Sequence, residues 1–264
     1  MENFAYHRPA KVADAVKAMK KAEDGKFMSG GQTLLPTMKQ GLAAPSDVVD
    51  LSGLGNAGIS VSGKAVTVKA GTVHADVATS KDVKKALPAL AHLAGGIGDP
   101  HVRNRGTIGG SLANNDPAAD YPAAALALGA TIHTSDRKLP ADKFFTGMFS
   151  TALKGAEVIT DVEFPIAEKA GYAKFPNPAS RYCMVGVFVA KFKDGSVRVA
   201  VTGAGPGVFR VPEMEAALAK NFSASALDGI AVKSKNLNSD IHASAEYRAH
   251  LIGVMAKRAV EAAK

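Results

Sequence analysis

Apolar residues recur at helical spacing at Val12, Ala15, Val16 and Met19 behind Pro9, and the pattern stops at Asp24-Gly25. This predicts an opening helix that delivers the chain to a short buried strand at Phe27-Met28. A glycine turn follows, and residues 33–39 can then start a helix made irregular by Pro36. Asp47–Leu51 and Ala65–Ala70 cluster or alternate β-branched residues between Gly and Ser turns, which marks strands. Helical stretches fit Ala75–Thr79 and Lys84–Leu93, and the Ala- and Leu-rich run Ala118–Gly129 is predicted helical.

The pattern changes after about Pro165. Tyr182–Phe192 and Ser196–Val201 alternate as strands around Lys193-Asp194-Gly195, a hairpin signal. Helices are predicted at Met214–Lys220, Ala224–Ile230 and Ala245–Ala263. The expected organisation is a larger α/β part over residues 1–165 and a smaller hairpin-plus-helices part over 166–264, without long repeats or low-complexity tracts.

With 264 residues, 47% of them hydrophobic, the chain can bury a substantial core. No apolar run approaches the roughly 20 residues of a membrane helix, and Met1–Tyr6 lacks the basic flank and apolar stretch of a secretion signal, so a cytoplasmic protein is expected. Cys183 is the only cysteine, which excludes an intrachain disulfide and a cysteine-ligated iron–sulfur cluster built from this chain alone. The seven histidines show no metal-site spacing. A net charge of +8 is spread over lysines without an arginine-rich block or stacking-aromatic motif, which argues for a solvated surface rather than nucleic-acid binding.

Candidate chemistry lies in two glycine turns, Ser29-Gly30-Gly31-Gln32-Thr33 and Thr107-Ile108-Gly109-Gly110-Ser111. Each couples adjacent glycines, which let backbone N–H groups converge, to hydroxyl or amide side chains that can donate to phosphate oxygens. Both are therefore expected to donate to one pyrophosphate, and a β-branched residue at Gly31 or Gly110 is expected to intrude on phosphate space. Thr202-Gly203-Ala204-Gly205-Pro206-Gly207 imitates a nicotinamide-nucleotide fingerprint, but its third glycine comes one residue early and Pro206 removes a donor, so it reads as a turn.

Phe4–Pro9, the stretch from Ser29 to Lys39, Val102–Ser111 running into Asp116–Pro122, and Glu246-Tyr247-Arg248 together resemble the FAD-binding medium subunits of molybdenum hydroxylases. The likeness is strongest to the carbon monoxide dehydrogenase type and weaker to the xanthine dehydrogenase domain. It implies an α+β fold: a two-lobed FAD-binding α/β domain of the vanillyl-alcohol-oxidase/xanthine-dehydrogenase type, plus a C-terminal domain with a three-stranded antiparallel sheet and helices. The resemblance matches Ser29, Gly30, Gly31, Gln32 and Thr33 to the first pyrophosphate turn, and Thr107, Ile108, Gly109, Gly110 and Ser111 to the second. Thr33 and Ser111 stand where relatives often carry serine and asparagine.

By the same resemblance Asp120 contacts the sugar or adenine side of FAD, Ile97 packs near the flavin ring, Lys174 reaches the cofactor from the other lobe, and Tyr182 covers one flavin face. The residues themselves also allow Asp120 to cap the Ala-rich helix, Lys174 to be a surface lysine and Tyr182 an ordinary sheet aromatic. His101 and Arg103 could brace the second turn or meet a partner.

The implied function is electron transfer from iron–sulfur clusters of the 2Fe–2S type on a small partner subunit, through FAD, to an external acceptor. Substrate oxidation would occur at a molybdenum cofactor on a large partner subunit, in an assembly expected to be a cytoplasmic dimer of heterotrimers, with association with the inner face of the membrane left open. A stand-alone flavin oxidoreductase and a flavin-free structural subunit are the alternatives. The absence of a dedicated substrate-binding insertion counts against the first, and the intact glycines count against the second.

Overall fold

The computed structural model describes residues 1–264. Its first sheet is three-stranded and parallel, with Asp47–Asp50 between Ala5–His7 and Gly25–Met28. The predicted opening helix, Val12–Lys21, makes the crossover between the outer strands. A second, five-stranded antiparallel sheet runs in the spatial order Ile59–Val61, Ala65–Lys69, Ile159–Pro165, Thr131–Thr134, Lys138–Pro140.

The third sheet orders Lys169–Pro176, Cys183–Lys191, Val197–Thr202 and Phe209–Arg210, all antiparallel. The two-residue Phe209–Arg210 strand is an addition to the three strands expected. Alternation along this sheet divides its side chains between two cores. Tyr172, Phe188, Ala190 and Ala200 join a large core with the helices Pro88–Gly95 and Tyr121–Ala127 and the five-stranded sheet. Val185, Val187, Val189, Val199 and Val201 face a second core under the Ala245–Glu261 helix. Because both faces are covered, Cys183–Ala190 is buried at every position, which explains its continuous apolar character. The sheet thereby fastens the C-terminal part to the rest of the chain.

Several predicted helices are shorter or divided. The single helix expected over Lys84–Leu93 is two, Lys81–Ala86 and Pro88–Gly95. Pro88 disfavours helical backbone at Leu87, which sits at φ −150° and ψ 67°. The helix expected from Ala118 begins only at Tyr121, because the Asp116 carboxylate accepts from the Ala118 N–H and ties residues 116–118 into a turn. Ala224–Leu227 is a single 3-10 turn rather than a helix to Ile230. No helix is long and apolar enough to cross a membrane.

Candidate functional site

The two glycine turns meet. Ser29 Oγ lies 2.8 Å from Thr107 Oγ1, and a Cβ on Gly30 would collide with the Arg105 carbonyl oxygen, so only glycine allows the backbones to approach this closely. They form part of the wall of a cleft of about 760 Å³, within the range of small-molecule and cofactor sites.

Twelve of the fourteen candidate residues line this cleft: Ser29, Gly30, Gly31, Gln32 and Thr33; Thr107, Gly109, Gly110 and Ser111; and Ile97, Asp120 and Tyr182. Ile108 is instead fully buried in the large core. Lys174 lies behind the wall, its ammonium on the Gly96 carbonyl oxygen at 2.8 Å and on Asp120 at 3.0 and 3.2 Å.

The hydrogen bonds leave the two turns unequal in free donors. From Ser29 to Thr33 no backbone N–H has an acceptor in the protein, and the same is true of Thr107. By contrast, Ile108 N–H donates to Thr72 O, Gly109 N–H to Ala70 O and Ser111 N–H to Thr107 O, while Gly110 N–H is capped by Thr107 Oγ1 at 3.1 Å. The helix Ile108–Asn114 starts inside this turn, and its first donors go to the 70–72 segment and to Thr107. Five consecutive acceptor-free N–H groups beside a cleft form a ready site for phosphate oxygens.

The glycines also serve packing. A Cβ on Gly109 would strike Ala70, one on Gly31, at φ +72°, would press on Leu35, and one on Gly110 would meet Thr107 Oγ1 at 3.1 Å. The first added carbon would meet protein neighbours at each of these positions.

Asp120 is buried and bears no cap on its helix; its carboxylate takes the Tyr172 hydroxyl at 2.6 Å as well as the Lys174 ammonium. Burial pushes the Asp120 carboxyl up, and Lys174 and Tyr172 oppose that shift. A ligand therefore meets Asp120 as an already paired group. Tyr182 is 61% exposed at the cleft, at the end of a turn in which Asn177 Oδ1 accepts from the N–H groups of Ala179 and Ser180. Arg103 braces the turn before its own helix, with Nη1 donating at 3.0 Å to both the Ile97 and Gly98 carbonyl oxygens.

Sequence reasoning missed three contributors to the wall. His74 lies under the second turn, where its N–H donates to Gly106 O at 3.0 Å, and burial holds its imidazole down at about 4 and hence neutral. Glu157 is bound through both oxygens to Arg137 at 2.9 Å, and the guanidinium holds its carboxyl down at about 2. Asn56 donates to Thr160 O at 2.8 Å. No motif marks these positions, because each acts through a partner distant in sequence.

A row of acceptor-free N–H groups beside a cleft, set against a second glycine turn, suits a protein that holds a phosphate-bearing cofactor. The chain belongs to the FAD-binding medium-subunit family of molybdenum hydroxylases: residues 2–167 match the family described as FAD binding domain in molybdopterin dehydrogenase, and residues 171–263 match the CO dehydrogenase flavoprotein C-terminal domain. It is 36% identical to the nicotine 6-hydroxylase medium subunit of Paenarthrobacter nicotinovorans, covering 97% of this chain and 95% of that one. It is 34% identical to the carbon monoxide dehydrogenase medium chain of Hydrogenophaga pseudoflava, covering 98% and 96%. A solved carbon monoxide dehydrogenase from H. pseudoflava, lacking the Mo-pyranopterin moiety of its molybdenum cofactor, superposes with a TM-score of 0.87 at 33% identity over 99% of this chain and 97% of the other. The chain is an FAD-dependent oxidoreductase subunit.

Proposed function

We propose that this chain is the electron-transfer subunit of a molybdenum hydroxylase, accepting electrons from iron–sulfur clusters on a small partner subunit and passing them to an external acceptor. A large partner subunit would carry the molybdenum cofactor and oxidise the substrate, in a cytoplasmic dimer of heterotrimers. The observation that carries the reading is the row of acceptor-free N–H groups from Ser29 to Thr33, set against the second turn. The relatives support partner subunits: they are named medium subunits or chains, and the solved H. pseudoflava enzyme is a carbon monoxide dehydrogenase described by the part of the molybdenum cofactor that it lacks. With one cysteine, this chain has too few thiolates for a cluster of its own.

FAD supplies reversible one- and two-electron chemistry when bound. The protein's part is to hold and orient it. The N–H groups of residues 29–33 and of Thr107 take the pyrophosphate, with the free Ser111 hydroxyl beside them. Ile97 and Tyr182 supply apolar and aromatic walls for the ring. Asp120 and Lys174, from the two parts of the chain, hold each other and the Gly96 turn.

Native mass spectrometry of the complex purified from its source, with flavin, iron and molybdenum measured together, tests the assignment. One FAD per copy of this chain, with iron and molybdenum on co-purifying subunits, is expected. A flavin-loaded chain that turns over a substrate alone, without iron or molybdenum, would establish the stand-alone enzyme instead.

A further inference from the structure

The turn between the Pro88–Gly95 helix and the Pro100–Arg103 helix has three successive carbonyl oxygens, each held by a cation. Lys174 Nζ takes Gly96 O at 2.8 Å, and Arg103 Nη1 takes Ile97 O and Gly98 O at 3.0 Å each. Arg103 does not line the cleft, whereas Ile97, Gly98 and Asp99 do. A trans peptide is planar, with its N–H directed opposite to its C=O. Drawing the Ile97 and Gly98 oxygens back towards Arg103 therefore turns the N–H groups of Gly98 and Asp99 away from it, to the side of the cleft. Neither N–H has an acceptor in the protein. Both precede the Pro100–Arg103 helix, whose Val102 N–H is capped by the Asp99 carboxylate at 2.9 Å.

Gly98 makes the arrangement possible. Its φ of +50° lets two consecutive N–H groups point the same way, and a Cβ there would press on Val102 at 3.0 Å.

We propose that Arg103 is a positioning residue that aims the Gly98 and Asp99 N–H groups at a carbonyl oxygen of the isoalloxazine, favouring the reduced cofactor. The inference rests on the reading that this end of the cleft holds the ring. Reduction adds negative charge to the ring and its carbonyl oxygens, and fixed N–H dipoles respond to charge that develops more strongly than to the neutral oxidised ring. The guanidinium behind the same two peptides polarises them in the same direction. The Lys174 clamp differs in kind, because the N–H of the peptide it holds, that of Ile97, is already spent on Ala94 O.

The test is the midpoint potential of FAD bound to the holo-complex, measured by spectroelectrochemical titration for wild type, R103M, R103Q and R103K. R103M is expected to keep FAD and to lower the protein's preference for reduced over oxidised FAD about tenfold, which for two electrons is about 30 mV. R103K is expected to recover most of this, since a single nitrogen makes both wild-type bonds. R103Q, with one neutral donor group, should fall between and carries the comparison if the methionine variant does not retain FAD. Wild-type potential in the variants that hold FAD would overturn the proposal while leaving the FAD site intact. A wild-type complex without FAD on this chain would instead overturn the reading on which it rests.

Discussion

The hydroxyls of Ser29 and Thr107 share a hydrogen bond of 2.8 Å across 78 positions of sequence. Thr107 Oγ1 also caps the Gly110 N–H, so one side chain both starts the Ile108–Asn114 helix and holds the first turn against it. Ser29→Ala and Thr107→Val should therefore couple. A double-mutant cycle on FAD affinity is expected to give an interaction energy of about 1 kcal/mol. Additive losses would show that the two turns are positioned independently.

The glycines should differ sharply in tolerance. At Gly30 an added methyl collides with a main-chain oxygen, Arg105 O, which cannot move without separating the turns. At Gly110 it meets Thr107 Oγ1 at 3.1 Å and Ser29 Cβ at 3.7 Å, atoms of side chains that can shift. Gly30→Ala is expected to purify folded with FAD affinity reduced more than about 100-fold, roughly 3 kcal/mol, and Gly110→Ala to lose about tenfold or less. Flavin-to-protein absorbance ratios and fluorescence titration of released FAD check both, and an intact Gly30→Ala holoprotein would remove the close approach as a requirement.

Much of this was legible because it is local. The spacing of Val12, Ala15, Val16 and Met19 marks a real amphipathic helix, and the Lys193-Asp194-Gly195 turn joins the two strands it was expected to join. Ser29–Thr33 combine glycine, hydroxyl and amide in a pattern that chemistry alone singles out. What could not be read depends on non-local pairing. Ile159–Pro165 pairs with Thr131–Thr134 on one side and reaches back to Ala65–Lys69 on the other, so it carries no neighbouring hairpin signal. The second turn looked like the first in composition, yet most of its N–H donors are taken by Ala70, Thr72 and its own helix. Lys174 was legible as an inter-lobe residue by resemblance, but its burial behind the wall appears only once Gly96 and Asp120 are placed beside it.

The Lys174–Asp120 pair predicts an asymmetry between single and double variants. Both side chains are at least nine-tenths buried, so Lys174→Met leaves a carboxylate without its cation in a site where burial already pushes its proton affinity up. That variant should lose about 3–5 kcal/mol of stability. Asp120→Asn in the same background should restore part of it, because the neutral amide no longer carries a buried charge and can still accept from Tyr172. Urea unfolding of the four proteins checks this, and equal stability of the single lysine variant and wild type would show the pair to be solvated in solution.

Acid should destabilise the protein in two separable stages set by His74 and Glu157. His74 titrates at about 4 when folded, below its ordinary 6.5, because the buried imidazole resists charging. Between those values the unfolded chain binds the extra proton, so stability falls as pH drops from 6.5 towards about 4, by up to about 3 kcal/mol. Glu157 titrates at about 2, below its ordinary 4.5, chiefly through its hydrogen bonds from Arg137. Its contribution is present above 4.5 and is lost as pH falls towards about 2. Screening at the partly exposed Arg137 reduces that contribution to about 2 kcal/mol. His74→Gln should flatten the stability profile between pH 6.5 and 4 while leaving the lower limb, and Glu157→Gln should do the reverse. Urea midpoints collected across pH 3–7 check both, and an unchanged slope above pH 4 in His74→Gln would show that the imidazole under the second turn is hydrated and titrates normally.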